Sequence, residues 1–243
     1  MKTFSTDFDF FLKKIQNKEP FALSRNNDGE MIILNNEFID LRSKCNGEFI
    51  YDPNNSSHTI FREKLLNSAT HKGDNYYVGI ACRCCVGDAK HESLKKLTGQ
   101  NEHHLTWGNI FVNGNYQRYV FEVLPYFALY DIVMVVNHKA NFDGLPFKNK
   151  IIERVNVGTN AWIDDSHVVE FMKHNLTEKK HKNKLYLFAA GPFSNILIHE
   201  LYKIEPENTY LDIGSTLDSM TGLGQTRGYL AGNPNTLYKI CIW

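Results

Sequence analysis

Short apolar runs alternate with amphipathic segments along most of the chain. The runs of strand length are FALS, YYVGIACRCC, DIVMVVNH, KIIERVNVG, KLYLFAAGP and NTYLDIGSTLD. Nearly every position is apolar in YYVGIACRCC and in DIVMVV. Such continuous runs are typical of strands that are buried on both faces of a parallel sheet.

The segments between these runs carry apolar residues at helical spacing. They are TDFDFFLKKIQN, GEMIILNN, FREKLLNSATHKG, HESLKKLTG, YQRYVFEVLPYFALY, DDSHVVEFMKHNL and FSNILIHELYKI. We expect Thr6 or Asp7 to cap the first helix, Asp164 or Asp165 to cap the sixth, and Pro125 to kink the fifth. Strands that alternate with helices form parallel crossover units. The pattern therefore predicts a Rossmann-like α/β fold, with a mostly parallel open sheet and helices on both faces.

No internal repeat or low-complexity linker interrupts this order, so we predict a single domain over residues 1–243. The Asn- and Gly-rich segment from Gly222 to Asn235 is predicted to be a loop over one edge of the sheet. The composition, 42% hydrophobic and 13% aromatic, is that of a globular protein. Basic and acidic residues number 27 each, which disfavours a surface built to hold nucleic acid.

Several features favour a reducing compartment. The N-terminal segment has acidic residues inside its aromatic stretch, so we predict no secretory signal. No window approaches the roughly 18 apolar residues that a membrane-spanning helix needs. The chain has five cysteines, of which Cys82, Cys84 and Cys85 lack a second pair at zinc spacing. We therefore predict reduced thiols buried on a strand and a cytoplasmic location.

Polar residues follow the apolar runs at the points where the predicted strands end. Open α/β sheets bind ligands at the carboxyl ends of their strands, near the point where the strand order reverses. The polar groups at those ends are residues 25–30, 138–143, 191–195 and 214–218. We predict that the functional site lies where these segments meet.

The first of these groups contains Asp28, Gly29 and Glu30, which offer two carboxylates to one hard divalent cation such as Mg or Mn. On this interpretation Gly29 turns the chain tightly, so that both side chains face one way. The alternative is that Asp28 caps a helix and Glu30 lies in its first turn, where the helix dipole favours acidic residues. The residues alone leave both interpretations open.

The segment AAGPFSNILIHEL has the layout of an anion site. A strand ends in small residues and Gly191, Pro192 presets a helix start, and the amides that follow point above the strand. A diphosphate fits there, with Ser194 and Asn195 donating hydrogen bonds. The alternative is an ordinary strand-to-helix turn that is capped by Ser194.

The segment YLDIGSTLD resembles the first glycine-rich motif of adenosylmethionine-dependent methyltransferases. Two observations count against that function. Thr216 or Leu217 stands where the motif has a further glycine, and only about 30 residues follow, too few for the rest of a sheet that began at this strand.

Taken together, the motifs resemble those of the GT-D-type glycosyltransferases, which have a Rossmann-like sheet. The N-terminal motif of that family is a strand followed by Arg-x-x-Asp-Gly-Glu, and Arg25, Asp28 and Glu30 of SRNNDGE match it. The segments LFAAGPFSNILIHELY and YLDIGSTLD match the C-terminal half of the family in order and spacing. Between about residues 45 and 180 only the general order of strands and helices matches.

The resemblance implies transfer of a sugar from a nucleotide diphosphate donor, most often a UDP-sugar, with Mn or Mg as cofactor. Asp28 and Glu30 would then be the metal ligands, and Arg25 would assist catalysis from the same loop. Asp218 is the first choice for a general base if the reaction inverts the sugar. The residues expected to contact the donor are Gly191, Ser194, Asn195, Asp212 and Ser215.

The acceptor is open among a glycan, a protein hydroxyl, a lipid-linked sugar and a modified base. Two alternative functions also remain: a methyltransferase that uses the strand at Asp212, and a nucleotide-binding module without catalytic activity. Acceptor pockets are built from variable loops, which is why the motifs do not separate these cases.

Overall fold

The computed structural model describes residues 2–43 and 49–243. The strands are β1 (Ala22–Asn26), β2 (Ile39–Asp40), β3 (Ile50–Tyr51), β4 (Tyr76–Ile80), β5 (Leu105–Trp107), β6 (Ile132–Asn137), β7 (Ile151–Val157), β8 (Leu185–Phe188) and β9 (Thr209–Asp212). The helices are α1 (Phe4–Gln16), α2 (Asp28–Leu34), α3 (Ser56–Thr70), α4 (Arg83–Val86), α5 (Asp88–Thr98), α6 (Tyr116–Arg118), α7 (Leu124–Phe127), α8 (Ala161–Asp164), α9 (Val168–Glu178), α10 (Pro192–Tyr202) and α11 (Pro234–Leu237). Short 3-10 turns lie at Asn113–Asn115 and Lys148–Lys150, and a π-helical turn lies at Tyr119–Val123.

Seven parallel strands form one sheet in the order β5-β4-β1-β9-β8-β6-β7. The strands β1, β4, β8 and β9 are buried at every position, whereas β7 at one edge alternates between buried and exposed residues. The α/β fold with a parallel sheet is therefore confirmed. The pair β2 and β3 forms a separate antiparallel ribbon, and its strands of two residues each are too short to show a sequence pattern.

Alternate residues of the strands feed two hydrophobic cores, one on each face of the sheet. In β1, Ala22 packs into one core and Leu23 into the other. Helices α2, α3, α9 and α10 contribute apolar residues to the first core, whereas α1 and α7 contribute to the second. Helices on both faces explain why the central strands lack polar positions.

Two predicted helix starts were wrong. The first helix begins one turn earlier than predicted, because Thr3 is the N-cap and forms a reciprocal capping box with Thr6. Helix α9 begins at Val168, after a separate helical turn in α8. Asp165 does not cap α9, since its Oδ2 accepts a hydrogen bond from the Gly158 amide at 2.7 Å.

The kink predicted at Pro125 takes the form of a π-helical turn. Residues 116–127 are continuously helical, and the π segment Tyr119–Val123 directly precedes the turn that holds Pro125. A proline ring clashes with the carbonyl one turn earlier, and widening that turn to a π-helix relieves the clash.

The prediction of buried strand thiols was wrong. Strand β4 ends at Ile80, where its pairing with both β1 and β5 also ends. Cys82 is therefore the N-cap of α4, and Cys84 and Cys85 lie in that helical turn. Cys82 is buried, but Cys84 is half-buried and Cys85 is exposed.

Helix α10 is fastened to the centre of the sheet by Asn195. Its Oδ1 accepts hydrogen bonds from the Ser24 hydroxyl at 2.9 Å and from the Arg25 amide at 2.8 Å. Its Nδ2 donates to the Arg25 carbonyl at 2.9 Å. This side chain is fully buried, and it satisfies backbone groups at the end of β1 that the sheet leaves free.

Within the described ranges, no helix combines the length and the apolar character that crossing a bilayer requires.

We expect Asn195→Ala to lower the free energy of unfolding by about 2–4 kcal/mol, because it leaves buried donors and acceptors of Ser24 and Arg25 without hydrogen-bond partners. Urea unfolding followed by circular dichroism measures the change. The matched control is Asn67→Ala, on the exposed face of α3, for which we expect a change within about 0.5 kcal/mol. Equal stabilities of the two variants would contradict this role of Asn195.

Candidate functional site

A cleft of about 1110 Å³ opens at the carboxyl ends of the central strands. After β1 the chain enters α2 and joins the first core, whereas after β9 Ile213 and Leu217 join the second core. The loops of these neighbouring strands thus diverge to opposite faces, which creates the crevice in which open α/β sheets bind ligands. Each polar segment predicted from the sequence contributes to the lining, although 138–143 does so only through Lys139.

A buried ion pair forms the floor of the cleft. Arg25 is the second-last residue of β1 and lies beside Asp212 of β9. Its Nε is 3.4 Å from Asp212 Oδ2, and both side chains are less than a tenth exposed. Asp212 also accepts a hydrogen bond from the Gly214 amide at 2.9 Å. Gly214 has a φ of +51°, and a β-carbon there would collide with the Arg25 guanidinium. Glycine at this position therefore serves both the turn and the ion pair.

Glu30 adds a second buried carboxyl to this floor. Burial, and then the negative charges of Asp212 and Asp28, raise the pKa of Glu30 to about 8. Burial also raises the pKa of Asp212, although the Arg25 charge acts in the opposite direction. Glu30 is thus buried close to negative charge, and a cation beside it would relieve the repulsion.

The two acidic residues predicted as metal ligands lie in the first turn of α2. Glu30 Oε2 accepts a hydrogen bond from the Asn27 amide at 3.1 Å, which is half of a capping box. Asp28 is exposed on the cleft wall. A helix therefore starts here, as the alternative interpretation predicts, but its N-cap is Asn27 and not Asp28. Both acidic side chains nevertheless line the cleft. Among the described residues, no three carboxylates bring their oxygens within 4.8 Å of one another.

The role predicted for Gly29 was wrong. It does not turn the chain tightly, because it lies inside α2 and is not among the glycines with positive φ. Its missing side chain instead admits the Phe49 ring, since a β-carbon at Gly29 would lie 2.9 Å from Phe49 Cζ. The same ring covers Gly191 across the cleft, at 3.6 Å from the equivalent position.

Polar atoms around the ion pair have unused hydrogen-bonding capacity. Across the described ranges, Arg25 Nε and Nη1, both side-chain polar atoms of Asn26, and Asn27 Oδ1 are buried without a hydrogen-bond partner. Buried polar groups in proteins are almost always satisfied. Unsatisfied donors and acceptors beside a carboxylate pair fit a site that a polar ligand or a cation completes.

In the segment after β8, Gly191 lines the cleft, whereas Ser194 and Asn195 stabilise the fold. Gly191 lines the cleft in a positive-φ conformation (+57°) and precedes α10. Ser194 Oγ accepts a hydrogen bond from the Ala190 amide at 3.0 Å, and Asn195 is fully engaged with β1. Ser194 and Asn195 thus hold the strand-to-helix turn, and their contact with a donor stays a prediction.

The loop after β9 supplies the other wall. Ser215 Oγ lies 2.9 Å from the Tyr229 hydroxyl, and Asp218 Oδ2 accepts a hydrogen bond from the Thr226 hydroxyl at 2.5 Å. All four residues line the cleft. The segment Gly222–Asn235, predicted to cover a sheet edge, therefore contributes its first half to the cleft. The prediction missed this because tertiary hydrogen bonds, and not local pattern, fold the segment back.

Sequence reasoning missed several residues of the cleft. Phe49 packs over Gly29 and Gly191, and Tyr229 positions Ser215. Arg227 adds a basic group to the lining, as does Lys139, which lies in the predicted polar segment 138–143. Phe49, Tyr229 and Arg227 belong to no motif, so only the fold reveals them.

Comparison with models of known protein families gives no match, and comparison with curated proteins gives no relative. Solved structures, in contrast, share the fold. One is a selenomethionine-substituted structure of domain of unknown function 1792, 15% identical, with a TM-score of 0.59 over 92% of this chain and 80% of that chain. Another, described as the same highly conserved domain with a distinct glycosyltransferase fold, is 16% identical, with a TM-score of 0.55 and the same coverage.

A further structure is described as a new glycosyltransferase of this domain type from Streptococcus sanguinis. It is 14% identical and has a TM-score of 0.58, with 93% of this chain and 84% of that chain covered. At such identities the likeness concerns the fold. The chain therefore shares the α/β architecture of these structures, one of which is described as having a distinct glycosyltransferase fold.

Proposed function

We propose that the protein is a metal-dependent glycosyltransferase that moves a sugar from a nucleotide diphosphate donor, a UDP-sugar, to an acceptor hydroxyl. The observation that carries the proposal is the cleft itself, in which Asp28, Glu30 and Asp212 meet a buried arginine at the switch point of the sheet. The likeness to structures described as glycosyltransferases supports the same function.

Asp28 and Glu30 would hold a divalent cation, Mn or Mg, with oxygen ligands of the kind that such ions prefer. When bound, this ion would neutralise the negative charge that builds on a departing nucleoside diphosphate. The fit rests on the burial and the neighbouring negative charges that raise the pKa of Glu30, and on the unsatisfied Asn27 oxygen at the same helix start.

Arg25 would contact the diphosphate. Its guanidinium is fixed by Asp212 on one side and by the absence of a side chain at Gly214. Nη1 has no hydrogen-bond partner in the described parts of the chain and can donate to a phosphate oxygen. An arginine that is already immobile loses little side-chain entropy on binding.

The other wall would bind the rest of the donor. Gly191 leaves the N-terminus of α10 open toward the cleft, where the helix dipole favours an anion. Ser215, held by Tyr229, presents a hydroxyl on the opposite side. Lys139 and Arg227 add positive charge to the lining.

Asp218 would accept the proton of the acceptor hydroxyl if the transfer inverts the sugar. Thr226 orients its carboxylate by a hydrogen bond to Oδ2. The acceptor we propose is a hydroxyl of a glycan, a protein or a lipid-linked sugar. The free thiols of the described cysteines fit a reducing location such as the cytoplasm.

Binding of UDP should depend on Mn. We expect UDP to raise the melting temperature of the wild-type protein only when Mn is present, because a cation held by Asp28 and Glu30 would offset the repulsion between these carboxylates and the diphosphate. The double variant Asp28→Asn with Glu30→Gln keeps the capping hydrogen bond but removes both charges. It should lose the UDP shift and the slow hydrolysis of a UDP-sugar, both measured over a panel of sugar nucleotides.

The control for this experiment is Glu37→Ala, an exposed carboxylate next to α2 that does not line the cleft, and it should behave like the wild type. Stabilisation by adenosylmethionine without metal would instead indicate the methyltransferase. Nucleotide binding with no UDP released from any donor and acceptor pair would indicate a binding module.

Affinity for Mn should rise with pH. Free Glu30 keeps its proton up to about pH 8, and the ion must displace that proton, so affinity should fall by up to about tenfold for each pH unit below this value. Calorimetric titration in buffers of different ionisation enthalpy measures both the affinity and the proton release. An affinity independent of pH, with no proton released, would exclude Glu30 as a ligand.

Glu30 should also make the metal-free protein less stable as pH rises. Its folded pKa of about 8 lies above its ordinary value of 4.5, so the folded state binds the extra proton between these values and loses stability as pH passes through them. We expect the melting temperature to fall more between about pH 5 and pH 8 in the wild type than in Glu30→Gln. Equal changes of melting temperature with pH in the wild type and in Glu30→Gln would contradict the buried position of this carboxyl.

Asp218→Asn should separate chemistry from donor binding. The amide oxygen still accepts the hydrogen bond from Thr226 but is no base. We expect glycosyl transfer to fall by about 10²–10⁴-fold, whereas binding of UDP with Mn should change less than about threefold. Transfer at the wild-type rate would assign the base elsewhere.

A further inference from the structure

Four cysteines that are far apart in the sequence meet at the rim of the cleft. Cys82, Cys84 and Cys85 lie at the start of α4, and Cys241 comes from the C-terminal tail. The sulfurs of Cys82 and Cys84 are 3.3 Å apart, and those of Cys82, Cys84 and Cys241 all lie within 4.8 Å of one another. These four residues are called the cysteine cluster.

Cys85 approaches the same point from the other side. The side-chain amide of Asn109 is 3.5 Å from Cys82 Sγ, 3.4 Å from Cys85 Sγ and 3.7 Å from Cys241 Sγ. One amide nitrogen thus reaches three of the four sulfurs. Cys85 therefore lies beside the group of Cys82, Cys84 and Cys241, although its sulfur is not within 4.8 Å of all three.

The surroundings are those of a group of thiolates. The Asn113 amide lies 3.6 Å from Cys241 Sγ, and the Lys239 ammonium lies 3.2 Å from Cys85 Sγ. N–H donors and a positive charge directed at sulfur stabilise the negative charge of metal-bound thiolates, as outer-shell groups of metal sites do. The carboxylate that a hard cation would need is missing from the group.

The spacing fits a tetrahedral ion. Zinc binds cysteine sulfur at roughly 2.3 Å, so sulfurs of a tetrahedral site are about 3.8 Å apart. The sulfur–sulfur distances among Cys82, Cys84 and Cys241, from 3.3 Å up to 4.8 Å, bracket this value. Cys82 and Cys85 also have the Cys-x-x-Cys spacing of zinc sites, and Cys241 supplies the distant ligand that the local sequence lacks.

We propose that the cysteine cluster is a structural zinc site with four thiolate ligands. Four protein ligands leave no open position, which is the arrangement of structural and not of catalytic zinc. This site is separate from the proposed Mn site, because thiolates select soft or borderline ions and carboxylates select hard ones.

The ion would cross-link the C-terminal tail to the strand β4 that flanks the cleft. The tail already contacts this region: the Arg83 amide donates to the Ile242 carbonyl at 3.1 Å, and the Trp243 and Trp107 rings are 4.8 Å apart. Cys85, Asn109 and Asn113 line the cleft. Zinc would therefore fix one wall of the cleft without contacting the substrate.

The test begins with the full-length protein, produced in zinc-supplemented medium and purified under reducing conditions without chelator. Elemental analysis and native mass spectrometry should find one zinc per chain. Cobalt substituted for zinc should show the intense thiolate-to-cobalt absorption of a tetrahedral site. Cys82→Ser and Cys241→Ser should each lower the metal content at least about tenfold.

The matched control is Cys45→Ser, the remaining cysteine of the chain, which lies outside the described residues and should leave one zinc bound. Alkylation of the wild-type protein does not depend on whether variants fold. The four cluster thiols should be protected until a zinc chelator is added, and peptide mapping should then show all four modified. The chelator should also lower the melting temperature and expose the tail to proteolysis.

Three results would overturn the proposal. The first is wild-type protein that carries no zinc and shows no cobalt–thiolate absorption. The second is a native mass lower by two hydrogens, which would show a disulfide inside the cluster. The third is zinc that both Cys82→Ser and Cys241→Ser retain. Loss of this zinc with UDP binding intact would leave the proposed transferase function standing, so the two proposals fail independently.

Discussion

The buried pair of Arg25 and Asp212 is the interaction on which the cleft depends. It joins the ends of two neighbouring central strands, β1 and β9, at the point where their loops leave toward opposite faces. A buried pair is costly to desolvate, and removing one partner leaves a bare charge in the interior. Two neighbouring residues position the pair. Gly214 leaves space for the Arg25 guanidinium, and Asn195 forms hydrogen bonds with the Arg25 backbone.

The buried floor of the cleft places the positive charge of Arg25 beside the carboxyl groups of Asp212 and Glu30. Glu30 is close enough to Asp212 and Asp28 for their charges to raise its pKa, and it is too deeply buried for water to screen them. The unbound cleft is therefore a strained site in electrostatic terms. Functional sites often keep such strain because a ligand removes it, and the energy released contributes to binding.

The cysteine cluster illustrates a different constraint. The cleft wall at β4 and β5 lies at the edge of the sheet, and the C-terminal tail packs against this edge through Trp243. A tail of irregular structure gains little from secondary-structure hydrogen bonds. Close sulfurs from α4 and the tail place a potential cross-link between these two segments.

The sequence by itself determined the parallel α/β fold and the segments that form the cleft. Continuous apolar runs require burial on both faces, and a parallel sheet brings all its strand ends to one side, so Arg25, Asp28, Glu30, Gly191, Asp212 and Asp218 had to approach one another. Short strands such as β2 and β5 stayed hidden because two or three residues carry no periodicity.

Tertiary structure alone decided the contacts between distant segments. Asn195 had the pattern of a phosphate ligand, yet the approach of α10 to β1 engages its amide with the backbone. Gly29 was predicted to turn the chain, yet in the structure its missing side chain leaves room for the Phe49 ring. Cys82 and Cys241 have no shared motif, and only the return of the tail to β4 brings them together. Spacing predicts contacts along one element, whereas contacts between elements depend on how the whole chain packs.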